Sequence, residues 1–489
     1  MQVKTLLQRL GEGSLTGDGG VTVNSITHDS RKVSPGFVFA ALRGENAHGL
    51  DYLKEAVAAG AAAILTDRPA RKTVDLPWIT VKNPRSAMAR AAWVLAGNPQ
   101  RKLQLVAVTG TNGKSTTAHL ISRLMQSARK PAAFIGTFGA RLPGNIEIAG
   151  EHTTPEATDM APMLKGSVRA GAVVAALEVS SHALSQDRVA GLKFDVAVWT
   201  NLTRDHLDYH HDMEAYFESK RRLFTEHMAP DGRRVLPVDD PWGARLLDEP
   251  RAGDVSWGLD RGAVCARNVV SDLDGSRFDL NLPDREISVC LPLVGVHNLR
   301  NALAAAAAAH AAGLSASAIR RGLERARPLA GRMERIKSSY YPCPVFVDYA
   351  HTPDGLRAVL QALRRITDRR LIVVFGAGGD RDLGKRGPMG FAVGESADVP
   401  IVTSDNPRTE DPESIAAAVA EGVRAAGAKP LVVLDRREAI ARAVEIADGR
   451  SLILVAGKGH EAYQTIGEVR FPFSDQEVLR SEAGREQCA

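Results

Sequence analysis

Cysteine is scarce: the 489 residues carry 4, at Cys265, Cys290, Cys343 and Cys488, far apart and with no C-x-x-C pair. That excludes a zinc ribbon and a disulfide framework, and makes a reducing compartment, the cytoplasm, the expected setting. Long hydrophobic runs are missing as well. The most apolar stretch, residues 302–312, is alanine broken by His310, too short and too weakly hydrophobic to span a bilayer, so no membrane insertion is expected. Residues 1–13 place Val3, Leu6, Leu7 and Leu10 around Lys4 and Arg9, which predicts a short amphipathic helix and not the apolar core of a signal peptide. Charge of one sign hardly predominates. Lys+Arg (62) exceeds Asp+Glu (57) by 5, a surplus that suits small anionic ligands and speaks against nucleic-acid binding. There is no repeat at solenoid periods, and 44% hydrophobic with 24% charged residues is the composition of an ordinary globular chain. At roughly 150 residues per domain, the length predicts about three domains.

Strand-like and helix-like stretches alternate throughout. Residues 21–85 read as a small α/β unit, with strands at 36–42 and 62–66, a helix at 53–59, and a break at Asn83-Pro84. A helix over 86–95 leads to a buried strand at 103–108, a Gly-rich turn, and a helix carrying Leu120, Ile121 and Leu124. Strands at 173–179 and 194–199 end in polar clusters. Beyond a second break at 328–331, strands are expected at 345–347, 371–375, 399–402, 431–434 and 452–455. Four of these lead into polar or Gly-rich segments, at 348–353, 376–382, 404–408 and 457–461. The alternation predicts an α/β protein with wound parallel sheets, which bind ligands at the carboxyl ends of their strands.

The strongest motif is Thr109-Gly110-Thr111-Asn112-Gly113-Lys114-Ser115-Thr116, between a strand and a helix. Backbone N–H groups around glycines form an anion nest, Lys114 can reach β- and γ-phosphates, and Ser115 can ligate magnesium. The motif is a shortened P-loop, because Val108 stands where the strict pattern has its first glycine. Glu178 ends the next strand, where a carboxylate suits a magnesium site; capping is the plainer reading. Asp205, His206 and Asp208 follow another strand end. Lys220 falls on a helix over 213–224, where a lysine is ordinarily a solvated charge.

These segments, with residues 295–301, 331–335 and 348–351, occur in an order that resembles the Mur ligase family across nearly the whole chain. The resemblance implies three domains: an N-terminal UDP-binding α/β domain (1–87), a central P-loop ATPase domain (88–331) and a C-terminal Rossmann-like amino-acid-binding domain (332–489). It implies an ATP-dependent ligase of peptidoglycan precursor synthesis. Meso-2,6-diaminopimelate is added to the D-glutamate side-chain carboxylate of UDP-N-acetylmuramoyl-L-alanyl-D-glutamate through an acyl phosphate. Carried over residue by residue, Lys114, Glu178, His206 and Lys220 are catalytic. Gly110 to Thr116, Asn301, Arg332, Asp348 and His351 meet ATP. Ser115, Glu178, His206 and Lys220, the last as a CO₂-derived carbamate, serve two Mg²⁺ ions. Ser30, His48, Thr153, Thr154, Ser180, Gln186 and Arg188 hold the UDP-muramoyl dipeptide. Arg381, Asp405, Asn406, Pro407, Arg408, Gly457 and Glu461 receive diaminopimelate. The expected partners are these small molecules, and the expected state is a monomer.

The resemblance implies that the amino acid is chosen at residues 405–408. Diaminopimelate differs from lysine by a distal carboxylate, which the planar Arg408 guanidinium can accept through paired charge-assisted bonds. A lysine-adding relative and a P-loop nucleotide switch are the alternatives, the second predicting nucleotide turnover without the amino acid.

Overall fold

Apolar runs of a few residues become buried strands, and the amphipathic stretches between them become the helices that cover them. The structure, a computed structural model, describes residues 1–44, 47–70, 74–150 and 152–485, so Cys488 lies outside the described residues. The chain divides into two units, one of Met1–Arg267, Asp279–Val289 and Arg300–Glu324, the other of Asn268–Phe278, Cys290–Leu299 and the chain from Arg325 on. No described helix is long and apolar enough to cross a membrane.

The first unit opens on a sheet whose strands run in the order Ser14–Thr16, Trp78–Thr80, Ala61–Thr66, Phe37–Ala40 and Ser25–Thr27. The first pairing is antiparallel and the others are parallel. The expected N-terminal helix is Val3–Leu10; it buries Val3, Leu6 and Leu10, and Gly11 ends it in the left-handed region at φ 70. The break at Asn83-Pro84 is a helix start. Asn83 accepts a bond from the Ser86 N–H at 3.1 Å, and Pro84 occupies the first turn of the helix Pro84–Ala96, where a missing N–H costs nothing.

At the centre of the next sheet, β1 (Gln104–Thr109) lies between β2 (Val174–Glu178) and β3 (Phe194–Trp199), all parallel, with Val106 beside Ala176 and Val196. Every residue of β2 is buried, which is why it reads as a continuous apolar run. Helix α1 (Lys114–Ser127) follows β1, and α2 (Met213–Glu226) follows β3. The alanine run falls in α3 (Val296–Ala311), where residues 302–309 are wholly buried because so small a side chain lets neighbours close on every face.

In the second unit, β4 (Val345–Asp348), β5 (Arg370–Phe375), β6 (Val399–Val402) and β7 (Ser451–Ala456) stand in the order β4–β7–β5–β6, all parallel. Glu334–Ile336 pairs antiparallel on the β4 side, and Leu431–Val432 parallel on the β6 side. The strand expected at 431–434 is cut to two residues because it is the sheet edge, with Val432 exposed. An antiparallel hairpin, β8 (Tyr463–Ile466) and β9 (Val469–Pro472), follows β7. The α/β class is thus as expected, and the carboxyl ends of β1, β2, β4, β6 and β7 lead straight into the motif residues.

Candidate active site

The turn after β1 is built on glycine. Gly113 caps α1 at φ 82, and a Cβ there would strike the Asn301 side chain, which packs on the turn and accepts a 3.4 Å bond from Thr117 Oγ1. Lys114 Nζ donates to the carbonyls of Gly110 (3.0 Å) and Thr111 (2.8 Å). Lys220 Nζ donates to the same Gly110 carbonyl at 2.9 Å. Two lysine nitrogens therefore converge on one oxygen.

Lys220 is 1% exposed, against the solvated lysine that its helix position suggested. The reason is phase: Tyr216, Phe217, Lys220, Leu223 and Phe224 form one buried stripe along α2, spaced three and four apart. Its Nζ lies 4.6 Å from the Tyr216 ring centroid. Burial, and then the Lys114 charge, hold its pKa well below the ordinary lysine value, with Asp205 opposing.

Glu178 is 1% exposed at the end of β2. Its Oε2 accepts from Ser115 Oγ at 2.9 Å and its Oε1 from the Thr137 N–H at 2.9 Å. Gly136 is required beside it, since a Cβ would collide with the carboxylate. Ser115 and Glu178 thus offer adjacent hard oxygens, the donor type that Mg²⁺ takes in small number from protein. Among the described residues no group of three or more His, Cys, Asp and Glu gathers as a metal site.

The end of β3 braces the loop. The Thr111 and Asn112 N–H groups donate to Asn201 O (2.8 Å) and Oδ1 (3.0 Å), and Thr200 Oγ1 donates to Asn112 O (2.7 Å). Thr116 is buried in the first turn of α1. His206, left-handed at φ 53, has Nε2 3.4 Å from Asp205 Oδ2 and its ring edge-on to His182 at 4.9 Å. The side chain of Asp208 lies outside the described residues.

The same network continues toward the residues expected at the muramoyl dipeptide. Thr137 Oγ1 donates to Thr153 Oγ1 (3.1 Å), Thr154 Oγ1 to Glu178 O (2.9 Å), and Ser180 N–H to Thr154 Oγ1 (3.0 Å). Arg188 donates to Thr154 O (2.9 Å) and to Gln186 Oε1 (2.7 Å), and pairs with Glu156 at 2.9 Å. Ser30 and His48 bond elsewhere: Ser30 Oγ to Glu55 (3.2 Å), and His48 to the Leu50 N–H (3.1 Å) and Asp67 (3.3 Å). Thr137, Tyr216 and Glu156 were missed from sequence; Tyr216 alone had a signal, its place on the Lys220 stripe.

In the second unit, Asp348 ends β4 and accepts from the N–H groups of Met333 (2.7 Å) and Ala350 (2.8 Å). Arg332 lies over the Tyr349 ring at 4.7 Å, and His351 Nδ1–H donates to Tyr349 O at 2.8 Å. After β6, Asn406 Nδ2 donates to Glu461 Oε2 at 2.9 Å, and Gly379 N–H donates to Asn406 O at 2.9 Å. Pro407 is buried beside it. Arg408 stands at φ 52, held there by the hairpin: its N–H donates to Thr465 O (3.1 Å) and its carbonyl accepts from Gly467 N–H (2.7 Å). Its Nη1 donates to Gly379 O. Asp405 Oδ2 is buried without a hydrogen-bond partner among the described residues, and a Cβ on Gly457 would stand 2.6 Å from it. Arg381 is exposed on the 376–382 loop. Lys385, missed from sequence, joins this cluster; burial lowers its pKa, Arg381 and Arg408 lower it further, and Asp382 and Asp405 oppose.

Three family models match the chain: the Mur ligase family catalytic domain over residues 22–103, the Mur ligase middle domain over 108–309, and the Mur ligase glutamate ligase domain over 331–459. A UDP-N-acetylmuramoyl-L-alanyl-D-glutamate--2,6-diaminopimelate ligase of Geobacter metallireducens is 43% identical, covering 98% of each chain. One of that name from Gloeobacter violaceus is 44% identical over 94% of each. A solved structure of a ligase so named superposes with TM-score 0.69 at 34% identity, covering 96% of both chains. A D-alanyl-D-alanyl-adding ligase from Acinetobacter baumannii, at 21% identity and TM-score 0.67 over 99% of this chain and 98% of its own, shares the fold. The chain belongs to the Mur ligase family.

Proposed function

We propose that the chain is an ATP-dependent ligase of peptidoglycan precursor synthesis, joining meso-2,6-diaminopimelate to the D-glutamate side-chain carboxylate of UDP-N-acetylmuramoyl-L-alanyl-D-glutamate. The observation that carries this reading is the convergence of Lys114 and Lys220 on the Gly110 carbonyl, in the unit that also pairs Ser115 with Glu178. A carboxylate is a poor electrophile and repels ATP; the Lys114 cation at a phosphate-binding turn would offset that repulsion. A carboxylate oxygen attacks the γ-phosphorus, ADP leaves, and the acyl phosphate forms. The amine then adds to the acyl carbon, and the tetrahedral intermediate expels phosphate as the amide forms and the nitrogen loses its proton.

Ser115 and Glu178 would hold Mg²⁺, which when bound neutralises phosphate charge. His206 would serve a second ion. Lys220 would meet it as a carbamate: the neutral amine, the form that burial beside Lys114 favours, adds to CO₂, forming an N–C bond and releasing a proton. Asn301, Arg332, Asp348 and His351 would contact ATP. Thr153, Thr154, Ser180, Gln186 and Arg188 would hold the dipeptide, and Ser30 and His48 the UDP end. Arg408 and Arg381 would meet the distal carboxylate, and Asp405, Asn406, Gly457 and Glu461 the ammonium groups. The unpartnered buried oxygen of Asp405 supports this, since a substrate ammonium would satisfy it. Residues 1–87, 88–331 and 332–489 would divide these tasks in a cytoplasmic monomer.

The test is a coupled ADP-release assay with the UDP-dipeptide, offering diaminopimelate and lysine side by side. ADP release that needs both the dipeptide and diaminopimelate is expected. Equal release without an amino acid would favour a nucleotide switch, and preference for lysine would overturn the choice of substrate.

A further inference from the structure

Lys458, between Gly457 and Gly459, is wholly buried, yet nothing in the reaction as described uses it. Its Nζ donates to Asn406 Oδ1 at 3.1 Å and to Glu461 Oε2 at 3.2 Å. The Tyr463 ring lies 5.7 Å from it, with Arg470 4.7 Å from the same ring. These bonds also orient Asn406: its Oδ1 takes both Lys458 and the Thr465 N–H (2.9 Å), so its amide nitrogen faces Glu461. Glu461 is thus flanked on one oxygen by an ammonium and an amide.

We infer that Lys458 is a specificity-determining residue: by cancelling the charge of Glu461 it denies a bare distal ammonium the attraction of that carboxylate. The inference rests on the functional reading above. A distal centre carrying both ammonium and carboxylate has no net charge, and Arg408 meets its carboxylate. A lysine side chain brings one positive charge and nothing for Arg408. With Lys458 in place, the ion pair offers that charge no net partner, so discrimination comes from a repulsive element as well as an attractive one. Lys458 acts through Glu461 and Asn406 and needs no contact with substrate.

Two measurements test this. In the wild-type enzyme, lysine and norleucine, which share a carbon chain and differ by the distal ammonium, compete against diaminopimelate in the ADP-release assay. Lysine is expected to inhibit no better than norleucine; a lysine inhibition constant more than about threefold below that of norleucine overturns the inference. The second measurement is the ratio of kcat/KM for lysine to that for diaminopimelate in Lys458→Met and Lys458→Arg. The Met variant should raise this ratio about tenfold or more and the Arg variant, which keeps the charge, should hold it near wild type. A purely structural lysine would depress both substrates together and leave the ratio within about threefold, which overturns the inference. Should the Met variant not fold, the wild-type comparison decides alone. If wild-type protein fails to use diaminopimelate, the functional reading falls; if it uses it and the ratio does not move, only the role of Lys458 falls.

Discussion

Asp475→Asn is the substitution whose consequence follows most directly from the structure. Arg436 and Asp475 are both wholly buried, and the guanidinium grips the carboxylate through Nε at 2.7 Å and Nη2 at 2.8 Å. Burial works against the arginine charge, but Asp475, with Asp405 and Glu461 beyond it, holds its pKa above the ordinary arginine value. Asparagine keeps the shape and one acceptor oxygen but removes the counter-charge, leaving a buried cation facing an amide nitrogen on one side and bonded through Nη2 to Ala456 O at 2.9 Å. Breaking a buried pair from one side costs about 3–5 kcal/mol. At about 2–4 °C per kcal/mol for a unit of this size, the second unit should melt roughly 6–20 °C lower. Calorimetry is the assay, because a chain of two units can show two transitions and only one should move. The pair Arg436→Met with Asp475→Leu removes both charges and should recover most of the loss, since the desolvation of each ion is avoided too. It would still raise the KM for diaminopimelate, because Arg436 faces Asp405 and Glu461. A single variant within about 1 kcal/mol of wild type would refute the reasoning, as would a double variant less stable than the single.

Lys220→Met should abolish turnover without lowering the melting temperature, because it replaces a buried amine held by a carbonyl with an apolar chain on an apolar stripe; small carboxylates should partly restore activity to Lys220→Ala. Wild-type turnover in either variant would reject the role. Arg408→Ala should weaken the preference for diaminopimelate over lysine by about 2–3 kcal/mol, the worth of a lost charge-assisted pair, read from competing substrates; an unchanged preference would reject the assignment. His119, buried edge-on to Phe134, has its pKa lowered to about 4, chiefly by burial and then by Arg141 and Arg123. The unfolded chain therefore takes up a proton near pH 6.5 that the folded chain refuses until about pH 4, and stability falls as pH drops through that window. Between about pH 7 and 4.5 this group should contribute about 2–3 kcal/mol of that loss. His119→Leu should flatten the pH dependence of urea unfolding by that amount, and parallel curves would refute it.

The carboxyl ends of strands were legible because a strand must be apolar where it is buried and the motif begins where that run stops: β1 into the Gly110 turn, β2 at Glu178, β6 into Asp405 and β7 into Gly457 each follow this rule. What closes around those ends was not. Glu178 is held by Thr137, 41 residues earlier, and by Ser115, 63 earlier, and Arg436 finds Asp475 39 residues later. Such pairings are set by which strands lie side by side, and no periodicity encodes that. Lys220 is the instructive case between the two. Its burial was written in α2, since a lysine three and four residues from Tyr216, Phe217, Leu223 and Phe224 shares their face. Residue type argued for solvent and position argued for the core, and position won because a helix cannot rotate one side chain away from its stripe. Lys458 had no such signal, lying in a loop between two glycines. A buried lysine costs stability unless something satisfies it, and each of these has an acceptor supplied by a motif, the Gly110 carbonyl or the Asn406–Glu461 pair. Under the proposed function both burials would fall where substrate charge has to be met, which is where a chain can retain so costly a group.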